Sequence, residues 1–103
     1  MSQLFYPDWR AKVIFGADGP KPQMLTENPK YKVVVVGLEP GQKIPLHSEE
    51  GSAVFHIVDG TGWASVNDER FAVQPGATVL VPEGGKRGME ATTQLVFIAV
   101  RIA

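Results

Sequence analysis

The side chains that could do chemistry in this chain are few, and the histidines come first. There are two, His47 and His56, and no cysteine, which excludes a thiolate metal site and a cysteine nucleophile. Glu49 follows His47 by two residues, so in a strand the two side chains share a face. Glu50 then points to the opposite face and cannot form a carboxylate pair with Glu49. The candidate centre is therefore His47 with Glu49.

Short strands must position these side chains. Eleven glycines and eight prolines separate runs rich in Val, Ile, Phe and Thr, and no segment has a convincing helical period. The predicted strands are 12–15, 23–26, 31–38, 43–47, 53–58, 63–66, 70–73, 77–81, 87–91 and 94–102. Pro45 confines strand 43–47 to a sheet edge or an irregular strand. Nine or ten short strands, preceded by an extended N-terminal arm, predict an all-β sandwich or barrel.

Two spaced motifs make this fold prediction more specific. Their residues are, in order, Gly41, His47, Glu49, Ala53 and Gly60, then Gly76, Pro82, Gly84, Arg87 and Ala91. The spacing resembles the two motifs of the cupin superfamily, and it covers about half of the chain. Every glycine and proline of the pattern is present, and these residues set turn geometry. The resemblance implies a double-stranded β-helix, a jelly-roll barrel of two antiparallel sheets. Residues 31–103 would form this cupin barrel, and residues 1–30 an arm and first strands of the same domain.

The same resemblance implies that the family's metal site is degenerate here. Cupins hold iron, manganese, nickel or zinc with two His, one Glu and a third His. The matching positions carry His47, Glu49, Ala53 and Arg87. A divalent cation usually needs three or four N, O or S donors, and arginine cannot deprotonate to become a ligand. We therefore expect no cofactor, and we disfavour a divalent metal held through His47.

The mapped positions nevertheless predict a ligand pocket inside the barrel. Its expected lining is His47, Glu49, Phe55 and Arg87, because Phe55 has the inward parity of Ala53. Arg87 either holds an anionic group such as a carboxylate or forms a structural ion pair with Glu49. Both alternatives stay open, and no residue is assigned as catalytic.

Two functions follow from this pocket. The favoured one is a small cupin-fold protein that binds a small polar or anionic molecule in the barrel without a metal. The alternative is a cupin enzyme of the dioxygenase, isomerase or decarboxylase type that acts on a small organic acid. Acid–base chemistry by His47 with Glu49 would serve the alternative. Fold alone does not decide between them, so whether the protein is an enzyme stays open.

Charge and surface patterning limit the partners. Ten Lys and Arg against eleven Asp and Glu give a net charge of −1, which argues against nucleic acid or a membrane surface as partner. Strands 31–38 and 53–58 are apolar on both faces, so we expect a homodimer through their outer face. His56 should lie on that outer face, and Trp63 should be covered by the arm or by another subunit. Without a signal peptide or a membrane-spanning run, a cytoplasmic location is expected.

Overall fold

The structure, a computed structural model, describes residues 3–103 as two antiparallel sheets. Its strands are β1 (Lys21–Glu27), β2 (Tyr31–Leu38), β3 (Lys43–Ser48), β4 (Ser52–Asp59), β5 (Gly62–Val66), β6 (Glu69–Val73), β7 (Thr78–Val81), β8 (Lys86–Ala91) and β9 (Leu95–Ile102). One 3-10 helix spans Trp9–Ala11. None of the described helical segments has the length and apolar character needed to cross a membrane.

The two sheets face each other across a single apolar core. One has five strands in the order β1-β2-β9-β4-β7, and the other has four in the order β3-β8-β5-β6. Period-two alternation places Val34 and Val36 of β2, Phe55 and Ile57 of β4, and Phe97 of β9 in this core. Strand β3 is an edge strand, as Pro45 predicts. The predicted all-β double-stranded barrel is confirmed.

From residue 31 onward each predicted strand is present, with ends that differ by no more than one residue. The hairpin between β5 and β6 turns at Asn67, whose φ of 55° lies in the left-handed region that asparagine tolerates. The strands are recovered because their apolar alternation and their turn residues indicate the same boundaries.

The N-terminal segment departs from the prediction. Residues 12–15 are not a strand; they follow the 3-10 helix and pack across Gly37, where any Cβ would meet the carbonyl oxygen of Ile14. Both edges of β2 are already paired, to β1 and β9, so this segment finds no free edge there. The strand predicted at 23–26 is the longer β1. Leu4 and Phe5 are 94% and 72% exposed and do not anchor the arm, whose Met1 and Ser2 lie outside the described residues.

The outer face of the five-stranded sheet is covered over one part only. Val35 is fully buried behind the inner core, on the β2 side that residues 13–15 overlie. On the β4 and β7 side, His56 points outward as predicted, and its Nδ1 lies 3.0 Å from Thr78 Oγ1. Leu80 beside it is 70% exposed. An open apolar face therefore remains on this sheet.

Trp63 lies on the outer side of the other sheet, and the predicted cover by the arm is wrong, whereas cover by another subunit stays a prediction. Arg70 rather than the arm lies over the indole, with its guanidinium carbon 4.0 Å from the ring centroid. Arg70 also donates a hydrogen bond to Glu90 at 3.2 Å. This cation–π contact from the neighbouring strand β6 covers part of the ring, and Trp63 remains 36% exposed.

Candidate ligand-binding site

Polar side chains collect at one end of the barrel interior because several strands begin or end there. His47, near the end of β3, pairs with Arg87 near the start of β8. Arg101, near the end of β9, pairs with Ala53 near the start of β4. Glu49 lies in the loop that joins β3 to β4. Antiparallel pairing brings these positions together, although they are far apart in sequence.

A β-bulge in β3 sets the direction of His47. Ile44 pairs with Met89 and His47 pairs with Arg87, so two residues of β3 oppose the single Gly88 of β8. The bulged backbone approaches Gly88 closely: a Cβ there would lie 2.9 Å from Ile44 O and 3.1 Å from Leu46 N. The bulge makes His47 follow Ile44 on the inner face, and a glycine opposite leaves room for it.

A cavity of about 270 Å³ extends inward from the polar end. Met89 follows Arg87 along β8, and Ala99 and then Phe97 precede Arg101 along β9. Two residues along a strand span about 7 Å, so the lining changes from charged to apolar side chains within about 7 Å of the mouth. The apolar lining is Pro20, Pro22, Val34, Val36, Ile44, Phe55, Met89, Phe97 and Ala99. The cavity therefore has a charged mouth and an apolar floor.

Arg87 is a buried clamp on the backbone. Its side chain is 3% exposed, and both Nε and Nη2 donate to the carbonyl oxygen of Gly85, at 3.0 and 2.9 Å. Nη2 also donates to Glu49 O at 3.3 Å and to Gly51 O at 3.2 Å. Nη1 lies 3.8 Å from Glu49 Oε2, beyond hydrogen-bond range. The guanidinium therefore ties the β3–β4 loop to the turn before β8.

Glu49 makes its close ion pair with Arg101. Arg101 Nη2 donates to Glu49 Oε1, and the two side chains are 41% and 30% exposed. Glu49 Oε2 faces Arg87 on one side and His47 Nε2, at 3.5 Å, on the other. Two guanidinium groups thus share one carboxylate, which leaves an excess of one positive charge when His47 is neutral. An excess of positive charge at a cavity mouth attracts anions.

His47 has one committed and one available ring nitrogen. Nδ1 lies 2.8 Å from the carbonyl oxygen of Pro45, which can only accept, so Nδ1 carries the hydrogen. Nε2 is then the atom that can exchange a proton, and it faces Glu49. The half-exposed ring also lies within reach of solvent.

The structure places all four predicted site residues on this one cavity: His47, Glu49, Phe55 and Arg87. Sequence reasoning missed Arg101. The signal was present, because Leu95, Phe97 and Ala99 alternate inward along β9 and Arg101 continues their parity. Sequence reasoning also gave Arg87 only a ligand or Glu49 as partner, whereas its hydrogen bonds go to backbone carbonyls.

The family follows from a direct match. The sequence profile of the cupin domain matches residues 34–101 of this chain, and the chain belongs to that family. No curated protein matches the chain.

Solved structures share this fold over nearly the whole chain. A conserved protein of unknown function from Streptococcus pyogenes is 22% identical, with a TM-score of 0.85 over 99% of this chain and 90% of that one. An uncharacterised conserved protein with a double-stranded β-helix domain from Klebsiella pneumoniae is 19% identical, with a TM-score of 0.87 over 99% and 90%. At these identities the likeness establishes the fold alone. A predicted oxalate decarboxylase from Thermotoga maritima is 25% identical, with a TM-score of 0.76 over 81% of this chain and 79% of that one.

The side chains at the site do not fit the metal that many cupins carry. Within residues 3–103, no three His, Cys, Asp or Glu side chains come together as a ligand set. His47 and Glu49 are two donors, and the guanidinium groups of Arg87 and Arg101 flank them. Fixed positive charges beside an incomplete donor set oppose a divalent cation.

Proposed function

We propose that this protein binds a small organic anion, of the carboxylate class, in its barrel without a metal. The observation that carries the proposal is the charge at the cavity mouth, where Arg87 and Arg101 share the single carboxylate of Glu49. A guanidinium binds a carboxylate through charge-assisted, often paired, hydrogen bonds. The excess positive charge favours a second carboxylate, and the cavity behind the mouth receives the rest of the molecule.

The two arginines have different tasks in this proposal. Arg87 holds the mouth in shape, because its Nε and Nη2 are already committed to carbonyl oxygens. Arg101 is 41% exposed and makes its ion pair through Nη2, so it is the guanidinium that can meet a ligand. His47 borders the same space; its Nε2 accepts a hydrogen bond when the ring is neutral and would donate one to a ligand carboxylate only when the ring is protonated.

A second candidate function is an enzyme that acts on a small organic acid. Two observations favour it: His47 presents Nε2 to Glu49 at 3.5 Å, and the predicted oxalate decarboxylase shares the fold. A histidine oriented by a carbonyl and paired with a carboxylate can transfer a proton next to a bound carboxylate. Turnover of an organic acid that His47→Gln abolishes, while binding persists, would select this candidate.

We further propose that the protein is a homodimer through the open part of the five-stranded sheet. The β4 and β7 side presents Val54, Val58 and Leu80 around His56, with no formal charge when His56 is neutral. We propose a second copy of the chain as the partner at this surface, because a two-fold symmetric dimer buries the same uncharged strip of both chains.

A thermal-shift series tests the anion-binding proposal. Acetate, malonate, benzoate and phosphate are added to the protein and to Arg101→Gln at constant ionic strength, with tetramethylammonium chloride as the cation control. Saturable stabilisation by at least one carboxylate, lost in Arg101→Gln, is expected. Equal shifts with the cation, or none with any anion, would refute the proposal.

A further inference from the structure

We infer, building on the function proposed above, that the ligand is a monocarboxylate with a compact apolar body. We also infer that Glu49 occupies the ligand's place on Arg101 until the ligand displaces it. The first part follows from the polarity of the cavity floor, and the second from the contacts of Glu49.

The size and lining of the cavity set the body of the ligand. A cavity of about 270 Å³ is small for a ligand pocket and limits the ligand to a compact molecule. Beyond the mouth the walls are apolar, and Phe55 and Phe97 meet edge to face with ring centroids 5.3 Å apart. Aromatic rings pack well against such an arrangement. Benzoate is such a compact molecule: it has one aromatic ring and one carboxylate at one end.

The same walls exclude a second charged group. A dicarboxylate that fills the cavity would bury one charge among apolar side chains such as Phe97 and Met89, whereas the charged side chains of the lining lie at the mouth. An unpaired buried charge is strongly unfavourable. The apolar floor of the cavity therefore favours a ligand with a single carboxylate, and the positive charge at its mouth favours an anion.

The contacts of Glu49 allow its side chain to leave without disturbing the loop. Its carbonyl oxygen is held by Arg87 Nη2 at 3.3 Å, so the backbone is fixed. Its side chain is 30% exposed and makes its close contact with the exposed Arg101. Rotation about the side-chain bonds would move the carboxylate into water, and the ligand's carboxylate would take over Arg101 Nη2. Exchange of one carboxylate for another keeps the charge on the arginine balanced.

Calorimetric titration of benzoate into the full chain tests this exchange with two variants. Glu49→Gln removes the competing carboxylate, and an exposed ion pair of this kind corresponds to roughly two- to fivefold tighter binding. Arg101→Gln removes the anchor, and the loss of charge-assisted hydrogen bonds corresponds to roughly ten- to a hundredfold weaker binding. Arg70→Gln, on the outer side of the other sheet, is the matched control and should leave the affinity unchanged.

Two results would overturn the inference and leave the proposed function standing: benzoate affinity unchanged or reduced in Glu49→Gln, and malonate that binds as well as benzoate. Benzyl alcohol that binds as well as benzoate would overturn both, because a neutral molecule would then bind as tightly as the anion. If no carboxylate binds the unmodified chain or Glu49→Gln, both the inference and the proposed function fail. Thermal unfolding checks that Arg101→Gln is folded; if it is not, Glu49→Gln and the benzyl alcohol comparison decide.

Discussion

Replacing Arg87 by methionine should destabilise the barrel more than the same replacement of an exposed arginine would. Methionine keeps an apolar stem of similar length but has no nitrogen. The side chain is 3% exposed, so water cannot reach the vacated position freely. The carbonyl oxygens of Gly85 and Glu49 lose the Arg87 hydrogen bonds, whereas Gly51 O keeps the N–H of Gly84 at 2.9 Å.

The size of the effect follows from those two carbonyls. A buried polar group left without its partner costs about 1–3 kcal/mol; this applies in full to the buried Gly85 oxygen and only in part to the partly buried Glu49 oxygen. The whole free energy of unfolding of a domain is about 5–15 kcal/mol. Arg87→Met should therefore remove a large share of the stability. Adding Glu49→Gln to Arg87→Met should restore little stability, because in Arg87→Met the Glu49 carboxylate is still paired with Arg101.

Urea unfolding followed by tryptophan fluorescence measures the loss. The matched control is Arg70→Met, since Arg70 is exposed and its contacts with Trp63 and Glu90 are each worth about 1 kcal/mol or less. A free energy of unfolding for Arg87→Met within about 1 kcal/mol of the unmodified protein would refute the clamp. Equal losses in the two variants would also refute it.

Three further outcomes are expected. Elemental analysis of gently purified protein should find far less than one transition metal per chain; about one iron, manganese, nickel or zinc, lost in His47→Ala, would contradict the metal-free site. Light scattering should give the mass of two chains, and Leu80→Asp should give the mass of one, because it places a charge in the proposed contact. A single-chain mass for the unmodified protein would rule that contact out. Gly88→Val should lower the unfolding free energy by about 1–3 kcal/mol, since its side chain meets the β3 bulge; no loss would contradict the close approach.

Much of the fold could be predicted from the sequence because the residues at the strand ends mark where each strand begins and stops. Apolar alternation and turn residues bound each strand after residue 31, and the spacing from Gly41 to Ala91 indicated the family. The segment 12–15 could not be placed this way, because it packs over Gly37 without pairing, and a short apolar run does not reveal which edges are free.

The sequence predicted which residues line the site, but not which atoms they contact. Alternation predicted that His47 and Glu49 share a face, and both line the cavity, although a bulge directs His47 and Glu49 lies in the β3–β4 loop. Arg87 stands at a position that the cupin motif fills with a metal-binding side chain, and it lines the same cavity. The partners of Arg87 are carbonyl oxygens of two loops, and no residue type encodes where a carbonyl points. Arg101 could have been found by extending the alternation of β9 to its end.

Calorimetric titration of benzoate before and after dialysis against EDTA tests the central claim most directly. The claim is that Arg101 and the apolar cavity bind a carboxylate without a metal. We predict one benzoate site per chain, with the same affinity before and after chelation. Binding that chelation abolishes and added metal restores would contradict the claim.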